Sequence, residues 1–295
     1  MEDIIVIVGP TGVGKTKLSI ELAKKIDAEI INGDSVAIYK ELNIGSAKPT
    51  IEEMDGIPHH LIDIKEVEDN YSVFDYQKDV RRLIEEINSR KKRIIIVGGT
   101  GLYIKAALYD YKFTEGTTYN MYEDLTNEEI LDKISSYDLY LSSNLEINNR
   151  QRLVRILNKL ENNEEITNNK DKLLYPIKVI GLTTDRDNLY ERINNRVDKM
   201  IENGLLNEIK SLKDRYKSSR ILNSAIGYKE FYDYLYNSKD LDEVIANIKQ
   251  NSRRFAKRQY TFFNHQFHTQ WFNVNFNNFN NTIDEVYNYI KKETN

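Results

Sequence analysis

The sequence predicts an α/β fold in which a parallel sheet is flanked by helices, and three observations predict it. The short β-branched runs at residues 4–8, 28–32, 93–97 and 175–182 are apolar enough to be strands buried on both faces. Segments with helical spacing separate them, as the crossovers of a parallel sheet require. The first run passes directly into Gly9-Pro10-Thr11-Gly12-Val13-Gly14-Lys15-Thr16, which fits the pattern G-x-x-x-x-G-K-[ST] between a strand and a helix. The expected architecture is therefore P-loop NTPase-like, with a helical insertion domain and a helical C-terminal region.

The chemistry of this loop follows from its residues. Glycines allow a tight turn with backbone N–H groups facing inward, the helix N-terminus adds partial positive charge, and Lys15 adds a full one. The Thr16 hydroxyl is placed to bind Mg2+. Gly9, Thr11, Gly12, Val13, Gly14, Lys15 and Thr16 are expected to hold a polyphosphate or a diphosphate. A chance match in a glycine-containing turn is the plain alternative, and the strand and helix on either side argue against it.

A chain of 295 residues with 40% hydrophobic content can bury one large core or two modest ones, and two lobes are expected. The net charge of -4 argues against a protein that coats nucleic acid through overall charge, yet leaves room for a local basic face. With no cysteine, disulfides and thiolate metal sites are excluded, and a reducing compartment is compatible. The N-terminus begins Met1-Glu2-Asp3, and its apolar run falls far below the roughly 18 residues of a membrane span. A soluble, cytoplasmic protein without membrane association is expected. No long apolar seam presents itself, so a monomer without an obligate protein partner is expected too.

Taken in order, residues 28–32 end at Gly33-Asp34-Ser35. Ligands of open α/β sheets sit at the carboxyl ends of strands, so Asp34 is expected near the phosphate loop as a general base or Mg2+ ligand. A turn or N-cap role competes evenly. Residues 46–49 and 58–64 read as loop and short strand, and the adjacent His59 and His60 lack a suitably spaced third ligand, which favours surface or supporting roles. Residues 71–88 have helical spacing at Phe74, Val80, Leu83, Ile84 and Ile87 and form a crossover helix.

The run at 93–97 ends in Gly98-Gly99-Thr100-Gly101. A glycine pair there allows close approach of a ligand, with the Thr100 hydroxyl and a helix N-terminus facing the same crevice. An ATP hydrolase usually ends this kind of strand in Asp, for Mg2+ and water. Gly-Gly in that place suggests a loop that holds a departing diphosphate rather than a triphosphate to be cut.

From residue 113 to 175 the texture changes to short polar helices, an insertion on the sheet domain. Residues 151–160 form an amphipathic helix with Arg152 and Arg155 on neighbouring parts of one face, and a solvated face is its simpler account. Arg192 and Arg196, at i and i+4, are placed to close over phosphates, with surface pairing to Asp185, Glu191 or Asp198 as the competing explanation. Further on, Lys249, Arg253 and Lys257 recur every fourth residue, with Arg254 and Arg258 in a parallel row. Such a helix suits phosphate-backbone contact; a basic solvated helix is the alternative. The division that results is a first part of the core at 1–112, the insertion at 113–175, core completion and C-terminal helices at 176–264, and a tail with a short helix at 265–295.

At this point several stretches coincide in order with one family. The loop at residues 9–16, Asp34-Ser35 with Ile38-Tyr39, Gly45-Ser46-Ala47-Lys48-Pro49 and Pro58-His59-His60-Leu61-Ile62-Asp63 resemble the tRNA dimethylallyltransferases. So do Gly98-Gly99-Thr100-Gly101-Leu102-Tyr103, Gln151-Arg152-Leu153-Val154-Arg155, Ala225-Ile226-Gly227-Tyr228-Lys229-Glu230, and Arg253 with Ala256-Lys257-Arg258-Gln259. The resemblance spans about residues 4–263, and the ordered series is far more specific than its first motif. It implies transfer of a dimethylallyl group from dimethylallyl diphosphate, with Mg2+, to N6 of the adenosine 3′ of the anticodon, in tRNAs reading codons that begin with U. The anticodon stem-loop would be the macromolecular partner.

The resemblance also implies roles. Lys15, Thr16 and the phosphate loop would hold the diphosphate as it leaves, and Arg192 and Arg196 would cover it. Asp34 would take the proton of the amine, and Thr100 would sit near the leaving oxygen or hold Asp34 and the base in place. Asp34, Ser35, Val36, Ala37, Gln151, Arg152, Leu153, Val154, Arg155, Arg253, Lys257 and Arg258 match positions assigned to tRNA. Three departures accompany this. The family often has Gln where Ala37 stands, its Arg expected near Tyr122 has no counterpart between Arg93 and Arg150, and the insertion is short and acidic around Glu123 to Asp132. No Cys/His finger follows residue 264, which resembles the bacterial form. A P-loop small-molecule kinase and a non-catalytic tRNA-binding protein are the readings from other classes.

Overall fold

The computed structural model describes residues 2–113, 122–163, 166 and 172–292. The remainder of the expected insertion, residues 114–121, 164, 165 and 167–171, lies outside them. The chain forms two compact units, residues 109–172 and the rest. The expected insertion at 113–175 thus covers nearly the same stretch as the smaller unit.

In the larger unit the elements run β1 (Ile4–Val8), α1 (Lys15–Ile26), β2 (Ala28–Asn32), α2 (Ile51–Met54), β3 (His59–His60), α3 (Val73–Ser89), β4 (Arg93–Val97) and α4 (Gly101–Leu108). The smaller unit contributes α5 (Asn127–Tyr137), α6 (Leu139–Ser143) and α7 (Arg150–Glu161). The chain then returns with β5 (Ile177–Thr183), α8 (Arg186–Glu202), α9 (Leu205–Ser211), α10 (Tyr232–Tyr236), α11 (Leu241–Gln266), β6 (Thr269–Asn273) and α12 (Phe279–Lys292). Two short 3-10 turns, Lys213–Lys217 and Lys229–Phe231, lie between α9 and α10.

The strands form one parallel sheet in the order β3-β2-β4-β1-β5-β6. β1 lies inside it, paired on both sides and buried at all five residues, which is why its sequence is an unbroken apolar run. β2, β4 and β1 are consecutive neighbours, so the loops after them, carrying Asp34, Thr100 and Lys15, emerge side by side. α3 starts at a capping box, in which Ser72 accepts from Asp75 N–H and Asp75 accepts from Ser72 N–H. It buries Tyr76, Val80, Leu83, Ile84 and Ile87. Phe74 is exposed rather than part of that face, because it stands in the first turn on the solvent side.

Within the expected tail at 265–295, the described residues, to Lys292, are part of the fold rather than a tail. β6 extends the sheet beside β5, and α12 buries Ile283, Val286 and Ile290 in the same core as β1 and α1. Burying these residues removes on the order of 1.5–3 kcal/mol of exposure cost per large aliphatic side chain, so the segment is structural.

The smaller unit has its own core of Ile130, Ile134, Leu153, Val154, Ile156 and Leu157. Leu153 and Val154, expected among the residues that match tRNA positions, have side chains 0% and 2% exposed, which helical geometry turns into this core. Gln151, Arg152 and Arg155 are exposed on α7. Arg150, in contrast, donates to the carbonyls of Leu125 and Tyr122 and to Asn127, which ties α7 to the start of α5 and the chain before it. None of the described helices is long and apolar enough to cross a membrane.

Candidate active site

The backbones after β2 and β4 are pressed together. Gly33 N–H donates to Val97 O at 2.7 Å, and Thr100 N–H donates to Gly33 O at 3.0 Å. A Cβ on Gly98 would lie 2.1 Å from the Gly33 backbone, and one on Gly99 would lie 2.1 Å from the Gln259 amide. The glycine pair therefore serves the chain's own packing. This corrects the expectation that it admits a ligand backbone.

Asp34 sits on this platform in a turn built by Asn32. The Asn32 side chain accepts from Asp34 N–H at 2.9 Å and donates to the carbonyls of Asp34 and Leu61 at 2.8 and 2.9 Å. One Asp34 carboxylate oxygen accepts Val36 N–H at 2.8 Å. The turn role is therefore present, and it leaves Asp34 lining a cavity of about 370 Å3. Thr100 Oγ1 accepts Ser35 N–H at 3.0 Å and donates to Ser35 Oγ at 3.3 Å, so it braces the residue after Asp34. Ser35, Val36 and Ala37 border the same cavity.

Across the cavity, Gly12 and Gly14 take positive φ values of 88° and 95°, which glycine adopts without strain. Lys15 Nζ donates to the Gly9 and Pro10 carbonyls at 2.9 and 2.8 Å, folding back over the loop it closes. Lys15 is partly open to the cavity but densely surrounded by protein. That burial, with Arg196 close by, lowers its ammonium to about 7, and Asp34 pulls the other way. Burial also lowers the Arg196 guanidinium, again opposed by Asp34. Lys15, Arg196 and Asp34 therefore share one electrostatic environment, with two cations crowded where an anion would relieve them. Arg196 also donates to Ser46 O at 3.3 Å.

Arg192 stands one helical turn before Arg196 and donates through Nε to Gly12 O at 3.0 Å. Among the described residues neither arginine is in an ion pair; Asp198, a rival partner, instead pairs with Lys249 at 2.5 Å. A larger, more open cavity of about 810 Å3 adjoins the first, and both are bordered by Ala47, Lys48, Pro49, Arg196 and Met200. Thr16 is exposed toward the smaller cavity at the start of α1. Among the described residues no group of three or more His, Asp or Glu surrounds an ion position. A lone hydroxyl suits a Mg2+ ion that arrives on diphosphate oxygens, since this ion keeps waters and substrate phosphates as ligands.

The basic helix α11 divides in two. Lys249 and Arg253 turn toward α8, Lys249 pairing with Asp198 and Arg253 donating to Asn194 at 2.6 Å. Arg253, expected among the tRNA-contacting residues, is thus partly exposed and held by Asn194. Arg254, Lys257 and Arg258 are exposed, and Arg258 also borders the smaller cavity. His60 bonds Glu29 at 2.7 Å, and His59 Nδ1 lies 2.8 Å from Ile57 O.

The supporting roles of three residues escaped the sequence reading. Asn32 builds the Asp34 turn. Gln259, 4% exposed, donates to Gly99 O at 3.0 Å and accepts Thr11 N–H at 3.3 Å, joining the two loops. Glu208 accepts from the N–H groups of Asn43, Ile44 and Gly45 and from the Tyr228 hydroxyl, anchoring the loop that reaches Arg196. A legible signal existed for Gln259: it is a polar residue on the buried stripe of α11, with Val244, Ile248, Ala256 and Phe263.

The profile of the family described as IPP transferase matches residues 37–266. The chain is 46% identical over 286 residues to a tRNA dimethylallyltransferase of Bacillus mycoides (strain KBAB4), covering 92% of this chain and 90% of the relative. Among solved structures it is similar to the full-length tRNA isopentenylpyrophosphate transferase of Bacillus halodurans, with 40% identity, a TM-score of 0.77 and coverage of 99% and 96% of the two chains. It is also similar to a eukaryotic dimethylallyltransferase acting on tRNA, at 27% identity and a TM-score of 0.77, covering 92% of this chain and 74% of that one.

Proposed function

The chain belongs to the IPP transferase family, and from that premise we propose that it transfers a dimethylallyl group from dimethylallyl diphosphate to N6 of the adenosine 3′ of the anticodon, in tRNAs that read codons beginning with U. It is a prenyltransferase that modifies tRNA. The observation that carries the residue-level reading is the meeting of the phosphate loop, Asp34, Thr100 and Arg196 around one cavity at neighbouring strand ends.

Lys15 and Arg196 meet the charge of the diphosphate as the bond between its oxygen and C1 of the dimethylallyl group breaks, the oxygen keeping the electron pair. N6 of the adenine bonds to C1. The amine is a weak nucleophile because its lone pair is delocalised, and Asp34 accepts the proton it sheds. Val36 N–H holds that carboxylate in one orientation, and Thr100 holds Ser35 beside it. Mg2+, held by Thr16 and the diphosphate oxygens, would neutralise charge on the leaving group. Arg192 stands at the outer rim of the loop. The target base must leave the anticodon-loop stack to reach the cavity. Lys257, Arg258 and, in the smaller unit, Arg152 and Arg155 are the exposed cations suited to the RNA backbone. We propose the cytoplasm as its compartment, since a tRNA substrate is met there.

The test incubates the protein with tRNA and radiolabelled dimethylallyl diphosphate without any nucleotide. Label should enter tRNA with stoichiometric diphosphate release. Nucleotide-dependent phosphorylation of a small molecule with no label in tRNA would favour a kinase.

A further inference from the structure

The segment between β6 and α12 reaches the outer face of the phosphate loop. The Phe276 ring lies under the Arg192 guanidinium, 3.8 Å from centroid to the central carbon, while Arg192 Nε is fixed on Gly12 O. Phe279, the first residue of α12, packs on Gly14 so closely that a Cβ there would come within 2.6 Å of the ring, and Lys17 Nζ stands 5.1 Å from the centroid of the same ring. The segment is itself held firmly. Val274 is buried and donates to Thr183 O, Asn275 N–H donates to the buried Thr282 hydroxyl, and the Asn275 side chain accepts from Asn277 N–H and Asn278 N–H.

From this geometry we infer that Phe276 is a positioning residue for diphosphate binding: it holds Arg192 flat at the rim of the phosphate loop. The inference rests on the loop's reading as a diphosphate site. An arginine on an exposed helix face loses rotamer freedom when it closes on an anion, and a ring stacked on the guanidinium removes part of that cost beforehand. The two contacts fix different parts of one plane. The hydrogen bond holds Nε on Gly12 O and the ring holds the central carbon, so neither contact uses the terminal nitrogens. The proposal gives residues beyond 265 a role in the chemistry besides their packing role.

Packing and positioning separate by choice of substitution. Phe276→Leu keeps apolar volume without a ring face, and Phe276→Trp keeps the face. Binding of inorganic diphosphate with Mg2+, read by calorimetry on the full-length protein, should weaken about threefold to tenfold in Phe276→Leu and stay near the parent value in Phe276→Trp. In an Arg192→Ala background, Phe276→Leu should cause no further loss. KM for dimethylallyl diphosphate should follow the same order, with kcat changed less. Equal losses from Phe276→Leu with and without Arg192, or equal effects of Leu and Trp, would overturn the inference while leaving the transfer reaction untouched. A parent protein that fails to bind diphosphate at all would overturn the loop's reading and this inference with it.

Discussion

Raising the pH should turn diphosphate binding into a reaction that takes up a proton, and Lys15 is the reason. In the unliganded site its ammonium is lowered to about 7 by burial and by Arg196. A bound diphosphate places negative charge beside it and raises that value again. At about pH 8 some 0.9 of the free protein carries neutral Lys15, and at about pH 6 only about 0.1 does, from the titration of a group with that pKa. Binding should therefore take up about 0.9 proton at about pH 8 and about 0.1 at about pH 6, and affinity should fall toward tenfold per unit as pH rises above 7. Dimethylallyl diphosphate is fully ionised at the higher pH, so its own protons do not obscure the effect. Calorimetry in buffers of different ionisation enthalpy measures the uptake directly. A buffer-independent enthalpy at about pH 8, or equal uptake by Lys15→Arg, whose charge is fixed, would refute the reasoning.

The remaining predictions concern packing and the RNA face. Gly98→Ala should lower stability by on the order of 1–3 kcal/mol in denaturant unfolding, because the new Cβ would stand 2.1 Å from the Gly33 backbone. Lys257→Ala with Arg258→Ala should reduce the salt slope of tRNA binding by roughly 0.7–0.9 per lost phosphate contact. Arg253→Ala should leave that slope unchanged and cost about 1 kcal/mol of stability, since its partner is Asn194. Gln259→Leu should loosen the phosphate loop and raise KM for dimethylallyl diphosphate, while Gln259→Glu, which keeps only the acceptor for Thr11 N–H, should fall between it and the parent.

The central sheet was legible because buried parallel strands write themselves as unbroken apolar runs. β1, β2 and β4 begin and end where those runs do. β6 left no such mark: Thr269–Asn273 is a partly exposed edge strand amid asparagines, and only its pairing with β5 makes it a strand. The meeting of Asp34, Lys15 and Thr100 at one cavity was legible from their positions at strand ends, where topology brings neighbours together. The burial of Leu153 and Val154 is not legible in a contiguous motif taken as a unit, since a helix shows only part of any such run to one side. The contacts of Arg253 with Asn194 and of Arg192 with Phe276 join residues distant in sequence, and no local pattern announces them.

The most direct measurement is single-turnover transfer from labelled dimethylallyl diphosphate to tRNA, by the parent protein and by Asp34→Asn, with tRNA affinity measured alongside. The account predicts a rate lower by about 10²–10⁴ in Asp34→Asn, with tRNA still bound, since only the proton acceptor is lost. Transfer by Asp34→Asn at the parent rate would contradict it.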